Sequence, residues 1–180
     1  MDGVKKIVVT GPESSGKSQL SQLLAQHFQT IHIPEYARMY LEKNGPEYNF
    51  DQLREIAKKH KAFQSGKMKE ADELVFLDTD LINFSVWSQV AFGKVDEWVE
   101  KACKLEVDHI YLILYPDLSW EPDPLREHPH QRQFLFEKHR QAVADAGRPY
   151  RIIKGLGKQR LENAIQATNE LIHLNRKNSP

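Results

Sequence analysis

The sequence is short of cysteine, of net charge and of long apolar runs, and each shortage removes a class of protein. A single cysteine, Cys103, excludes an internal disulfide and a thiolate metal cage, and reads as a small apolar residue in a reducing compartment. Lys plus Arg and Asp plus Glu both total 25, for a formal charge of zero. No overall basic field exists to hold nucleic acid or an anionic membrane, so any anion must be bound locally. No stretch approaches the roughly 18 apolar residues of a membrane span, and the N-terminal "MDGVKKIVVTGP" has too short an apolar core for a signal peptide. A cytoplasmic protein is expected, with no membrane and no nucleic-acid partner. What remains is ordinary: 40% hydrophobic and 28% charged residues over 180 positions, enough for one domain around one buried core.

Strand and helix periods alternate along the chain. "KKIVVTG" is a β-branched run ending in glycine, which suits a fully buried strand. From about Gly16 to Phe28 apolar residues recur at helical spacing, with His27 read as core packing on that face. "TIHIPEYAR" gives a second strand stopped by Pro34, "YARMYLEKNG" is helical up to Asn44-Gly45, and Asn49 or Asp51 caps a long helix over "FDQLREIAKKHKAFQSGKMKEA". Lys58, Lys59, Lys61, Lys67 and Lys69 on that helix alternate with glutamates and read as a solvated face. "ELVFLDTD", "DHIYLILYPD" and "PYRIIKG" are the third to fifth strands, and helical text follows the third through "FSVWSQVAFG". A loop dense in proline and histidine, "LSWEPDPLREHPHQRQ", leads into the helix "FLFEKHRQAVADAG". A last helix starts near Gly157, and "NRKNSP" reads as a frayed tail. No repeat, low-complexity block or linker interrupts this order. It predicts an α/β sandwich on a mostly parallel sheet, with ligands just beyond the carboxyl ends of the strands.

The residues that carry chemistry fall at those ends. Gly11-Pro12-Glu13-Ser14-Ser15-Gly16-Lys17-Ser18 matches G-x-x-x-x-G-K-[ST] between a buried strand and an amphipathic helix, the context a P-loop requires. Its glycines let backbone N–H groups curl inward, and the helix N-terminus adds positive potential, giving a nest for phosphate oxygens. Lys17 is placed to reach the β- and γ-phosphates of ATP, Ser18 offers a hydroxyl to Mg²⁺, and Gln19 follows on the helix. Asp78, ending "LVFLD", has the character of a second acid for that metal. Asp80, two residues on, has the same facing if the extended backbone continues, so the two carboxylates are expected to converge on one cleft; Asp80 equally suits the cap of the next helix.

Glu35, Tyr36 and Arg38 in "PEYAR" follow the second strand. A carboxylate there suits either the proton of an attacking hydroxyl or a pair of ribose hydroxyls. Asp123, Arg126 and Arg132 lie on the proline-rich loop, where arginines can close over transferred phosphate. Trp87 and Trp120 are both candidates to stack a planar or cationic ring; polar surroundings favour Trp120, and Trp87 reads more as packing. Gly155 and Arg160, after the fifth strand, are candidates for the adenine. His128 and His130 lack a carboxylate or cysteine at fixed spacing and make a poor metal site.

In this order, "TGPESSGKS", "PEYAR", "FLDTD", "FGK" and "LYPDLSWEPDPLR" resemble the nicotinamide riboside kinase domain of the NadR family, over roughly residues 5 to 165. The resemblance implies a three-layer α/β sandwich with a five-stranded parallel sheet, the P-loop nucleoside triphosphate hydrolase fold, as a single kinase domain over residues 1–175 with a disordered tail at 176–180. It implies ATP- and Mg²⁺-dependent phosphorylation of the 5′-hydroxyl of nicotinamide riboside to nicotinamide mononucleotide. By position, Lys17 and Ser18 then serve ATP and metal, Asp78 the metal, Glu35 and Arg38 the acceptor, Asp80 the acceptor or metal, and Arg126 the lid. Full-length members of that family carry a helix-turn-helix and an adenylyltransferase domain ahead of the kinase, whereas this sequence begins almost at the P-loop strand. The lid also carries Pro124 where the family leads one to expect glycine. Two other readings stay open: a nucleoside monophosphate kinase, for which Arg38 and Arg132 leave room, and a non-catalytic ATP-binding switch or ATPase.

Overall fold

A computed structural model describes residues 4–177 of the chain. Five strands, β1 (Lys5–Thr10), β2 (Ile31–Ile33), β3 (Leu74–Asp78), β4 (His109–Leu114) and β5 (Tyr150–Ile153), form one sheet in the order β2-β3-β1-β4-β5. Every pairing is parallel. The helices are α1 (Lys17–His27), α2 (Tyr36–Asn44), α3 (Phe50–Lys67), α4 (Leu81–Phe92), α5 (Glu97–Leu105), α6 (Arg132–Asp145) and α7 (Gly157–Lys177).

The period of two along each strand sorts the core into two layers. Ile7, Val9, Phe76, Leu112 and Leu114 face α1 and α7, meeting Leu24, Ala164 and Leu171. Val8, Val75, Leu77, Tyr111 and Ile113 face the other way, onto Ile82, Phe136 and Val143 of α4 and α6. Because both faces are covered, the strands read as continuous apolar runs rather than alternating ones. Each such side chain removed from water contributes about 1.5–3 kcal/mol. A third apolar cluster joins α2, α3, α4 and α5 through Leu41, Ile56, Leu81, Phe84 and Val99, and this helical subdomain stands over one end of the sheet as a wall for the site.

Caps explain several boundaries. Asn49, not Asp51, caps α3 in a reciprocal capping box with Gln52, and Gly45 closes α2 in a positive-φ conformation. α5 (Glu97–Leu105) is a helix that the apolar periodicity does not mark. Asp96 caps it by accepting from Trp98 N–H, and Glu97 and Glu100 occupy its first turn, the acidic start that marks a helix N-terminus. His27 is exposed rather than packed in the core, with its ring edge to face against Phe28. Lys58 and Lys67 pair with Glu55 and Glu70 on the solvated face as expected, but Lys61 reaches the buried Glu106. The final helix continues through Lys177, into the segment read as tail; residues 178–180 lie outside the described part.

Candidate active site

Since β1 neighbours β3 on one side and β4 on the other, the loop leaving β1 sits where the chain order reverses, the place at which parallel sheets bind ligands. Gly11 takes φ +140° with the end of β4 so close that a Cβ would lie 2.9 Å from the Leu114 carbonyl oxygen. Only glycine fits there. Gly16 takes φ +80°, and Ser14 is also at positive φ, so the backbone curls before α1 begins. Ser15 Oγ and Lys17 Nζ both donate to the Pro12 carbonyl, at 2.7 and 3.0 Å.

β3 delivers its acid to the same point. Asp78 is in register with Val9 and accepts a 2.5 Å hydrogen bond from Ser18 Oγ on Oδ2, while its buried Oδ1 has no protein partner. Burial pushes the Asp78 carboxyl above its ordinary range, against the Ser18 hydrogen bond and the charge of Lys17. Glu35 immediately precedes α2 without capping it and lies close enough to feel both Asp78 and Lys17. Loss of water, then the Asp78 charge, raise its carboxyl to about 7, against Lys17 and a weak hydrogen bond from Thr79 Oγ1. Three charged groups from separate segments thus share one corner.

That corner opens into a cavity of about 740 Å³, lined by the whole loop Gly11–Gln19, by Glu35 and Arg38, and by residues of α4, the lid and α6. Two of the lining residues, Trp87 and Tyr48, meet edge to face with Trp87 Nε1 donating to Tyr48 Oη at 2.6 Å. Arg38 is shared between Asp123, which the Leu125 N–H and Arg38 together hold below the usual carboxylate range, and Glu42. The segment 118–131 folds over the P-loop as a lid. The Glu13 carboxylate accepts from the backbone N–H groups of Glu127 and His128 at 3.0 and 2.9 Å, and Ser14 Oγ accepts from Glu121 N–H and, more weakly, from Arg126.

A family profile described as "AAA domain" matches residues 6–160. The chain belongs to that family. The sequence is also similar to the trifunctional NAD biosynthesis/regulator protein NadR of Escherichia coli (strain K12) and of Salmonella typhimurium, each 28% identical over 127 residues, which are 68% of this chain. The chain spans 31% of the length of these relatives. Among solved structures it is similar to a NadR protein in complex with NR, with a TM-score of 0.80 and 22% identity, over 93% of this chain and 50% of that one. A NadR protein in complex with NAD and AMP-PNP gives 0.78 at the same identity, over 94% and 50%. Deoxyadenosine kinase from M. mycoides gives 0.62 at 14% identity, over 92% and 99%. The five-stranded parallel sheet covered by helices on both sides is the P-loop kinase fold of these proteins, and no described helix is long and apolar enough to cross a membrane.

In this AAA-domain chain several residues named from the sequence do not reach the cavity. Asp80 does not converge with Asp78. Thr79 adopts φ +66°, which breaks the alternation of the strand and turns Asp80 into the core. There Asp80 caps α4 through Ile82 N–H and is bonded by Tyr111 Oη and by His109 Nδ1 at 3.0 Å. Burial pulls its carboxyl upward, but these hydrogen bonds hold it below its usual range. Lys61 bonds Glu106 beside it, so the buried acids are compensated inside the fold. Tyr36 packs against Tyr40 and Phe63 instead of the cavity.

Trp87 packs into the α2–α5 cluster as read and also lines the cavity, whereas Trp120 is not among the lining residues. The backbone on either side of Trp120 is held to Ser14 Oγ, by Glu121 N–H and by the Ser119 carbonyl, which fixes its direction. Arg132 spends its guanidinium on the carbonyls of Glu13, Ser14 and Leu118. Arg160, 5% exposed, bonds Asp117 and the carbonyls of Ser15, Tyr115 and Gly155 rather than facing an adenine subsite. Both arginines brace the loop from behind. Gly155 donates its N–H to the same Asp117. Sequence reasoning missed Tyr48, Asn83 and His139. Tyr48 and Asn83 stand in runs that read as loop and core helix, and only helix packing turns them to the cavity.

Proposed function

We propose that this chain is an ATP-dependent small-molecule kinase that phosphorylates the 5′-hydroxyl of a ribosyl nucleoside, nicotinamide riboside first among them. The observation that carries the proposal is that Glu35, Lys17 and Ser18 line one cavity together, with Asp78 buried behind them, bonded to Ser18 and close enough to raise the Glu35 carboxyl. The Gly11–Ser18 backbone and Lys17 hold the triphosphate of ATP, and Arg126, reaching from the lid to Ser14, stands over the same loop. Glu35, with a carboxyl poised near neutrality, accepts the proton of the attacking hydroxyl. The hydroxyl oxygen bonds to the γ-phosphorus as the bond to the β–γ bridging oxygen breaks, ADP leaves, and Glu35 returns its proton to water. Trp87 and Tyr48 offer an aromatic face to the base, and the surrounding acids Glu35, Asp78 and Asp123 favour a cationic ring such as pyridinium.

Ser18 Oγ and the free Oδ1 of Asp78 are hard oxygen donors side by side, a set that fits Mg²⁺. That ion supplies charge neutralisation of the transferring phosphate when bound. The acceptor side speaks against a nucleoside monophosphate, because Arg38 is already compensated by Asp123 and Glu42, and Arg132 and Arg160 are bound to the backbone of the loop. The kinship with NadR, one of whose structures is a complex with NR, supports the choice of nucleoside.

The test is acceptor-dependent ADP release from ATP and Mg²⁺ across a panel of nicotinamide riboside, the common nucleosides and their monophosphates. Nicotinamide riboside, or at the least another nucleoside, is expected to turn over, and monophosphates are expected to fail. Turnover of monophosphates alone, or of nothing, contradicts the proposal.

A further inference from the structure

An acid in a phosphate-binding loop needs a reason, because a carboxylate repels the triphosphate that the loop's amides attract. Glu13 is that acid, and it turns away from the nest and toward the lid. Its Oε2 accepts from the Glu127 N–H at 3.0 Å and from the His128 N–H at 2.9 Å, and its Oε1 lies 3.3 Å from His128 Nδ1. Neither amide has another acceptor among the described residues.

The stretch 123–128 is thereby tied at both ends. At one end Asp123 Oδ2 accepts from Arg38 of α2 at 2.8 Å, while Oδ1 holds the Leu125 N–H at 2.9 Å. At the other end Glu13 holds residues 127 and 128. Arg126 is strung between the two ties. It lines the cavity, its backbone N–H donates to the Asp123 carbonyl at 3.0 Å, and its guanidinium donates to the Glu121 carbonyl and, at 3.4 Å, to Ser14 Oγ. Those two neutral oxygens are the only partners of the guanidinium among the described residues, so its charge is left for an anion in the cavity.

We propose that Glu13 is a positioning residue. By holding the 127–128 backbone against the P-loop it sets Arg126 over the phosphates, so the loop that binds the nucleotide also closes the lid above it. The ligand of Arg126 rests on the ATP-dependent kinase reading; the hold of Glu13 on the lid does not.

Calorimetric titration of the full chain with ATP and Mg²⁺ tests the role through its sign. A bare charge at Glu13 would oppose ATP, and every neutral replacement would tighten binding. A positioning Glu13 predicts instead that Glu13→Ala weakens ATP roughly tenfold, whereas Glu13→Gln, whose amide oxygen can accept both N–H groups, binds at least as tightly as the wild type. Arg126→Ala should lose about as much as Glu13→Ala, and the double variant no more than either alone, because one acts through the other. Amide hydrogen exchange without nucleotide reads the hold itself. The Glu127 and His128 amides should exchange roughly tenfold faster in Glu13→Ala and at the wild-type rate in Glu13→Gln, with the β1 and β4 amides unchanged in both. Tighter ATP binding by Glu13→Ala, a Glu13→Gln as weak as Glu13→Ala, losses that multiply in the double variant, or lid amides indifferent to Glu13→Ala each overturn the proposal, as does a wild type that does not bind ATP. The predicted pattern of ATP binding and exchange without ADP release to any acceptor would bear out the role of Glu13 and bring down the kinase reading alone.

Discussion

On the proposed donor side of the cavity, eight consecutive residues, Gly11 to Ser18, carry the P-loop; on the proposed acceptor side, Glu35, Asn83, Trp87 and Asp123 arrive from three separate segments. The donor side is held by its own backbone geometry, with positive φ at Gly11, Ser14 and Gly16, and is braced from behind by Arg132 and Arg160. The acceptor side is held by helix packing in the α2–α5 cluster and by side-chain pairs such as Arg38 with Asp123 and His139 with Asn83. The first takes its shape from local backbone geometry and is braced by two arginines from α6 and α7. The second can change its ligand by changing a few side chains on an unchanged frame.

Substitutions can sharpen that contrast. Lys17→Ala should lower phosphoryl transfer on the order of 10³-fold, read as ADP release, while leaving the melting temperature nearly unchanged, since the ammonium makes one hydrogen bond to the fold. Arg160→Ala should act in the reverse sense, as a brace rather than a ligand. Removing one partner of a buried pair costs about 3–5 kcal/mol, so denaturant unfolding should show a loss of that size together with weakened ATP binding. Trp87→Ala should raise the acceptor KM roughly tenfold, by about 0.5–2 kcal/mol of lost ring contact, with the KM for ATP unaffected. An equal change in both constants would mean that the two sides are not separable.

A pH-dependent effect on stability follows from Glu35. Its carboxyl is raised in the folded protein to about 7 from an ordinary 4.5, so between these values the folded state binds the extra proton and stability falls as pH rises. Above pH 7 the ionised group costs stability that Glu35→Gln removes. The variant should melt several degrees higher at pH 8, by at most about 3 kcal/mol, and the gain should vanish below pH 4.5, where the carboxyl becomes protonated in both states.

The same contrast explains what was legible in the sequence. The five strands, the parallel sheet and the P-loop are written in contiguous patterns, and each stands close to where periodicity puts it. Asp78 is legible because a strand end beside the P-loop strand has one outcome. Asp80 is not, because the fate of its side chain hangs on a single dihedral, φ of Thr79, and on partners His109 and Tyr111 some thirty residues away. Arg132 and Arg160 look like phosphate ligands by composition, yet a guanidinium serves a ring of carbonyls equally well, and only the fold says which it meets. Trp87 was the tryptophan hidden in an apolar helix; its exposure to the cavity depends on Tyr48, which arrives from the far side of a turn.

The central claim is that Glu35 takes the proton of an acceptor hydroxyl beside the phosphate that Lys17 holds, and the pH dependence of acceptor-dependent ADP release measures it most directly. With nicotinamide riboside saturating, the wild-type rate should fall about tenfold for each pH unit below about 7, and Glu35→Gln should be slower by about 10²-fold or more and lose that dependence. A wild-type rate flat from pH 5.5 to 8.5, or a Glu35→Gln enzyme as fast as the wild type, would contradict the account.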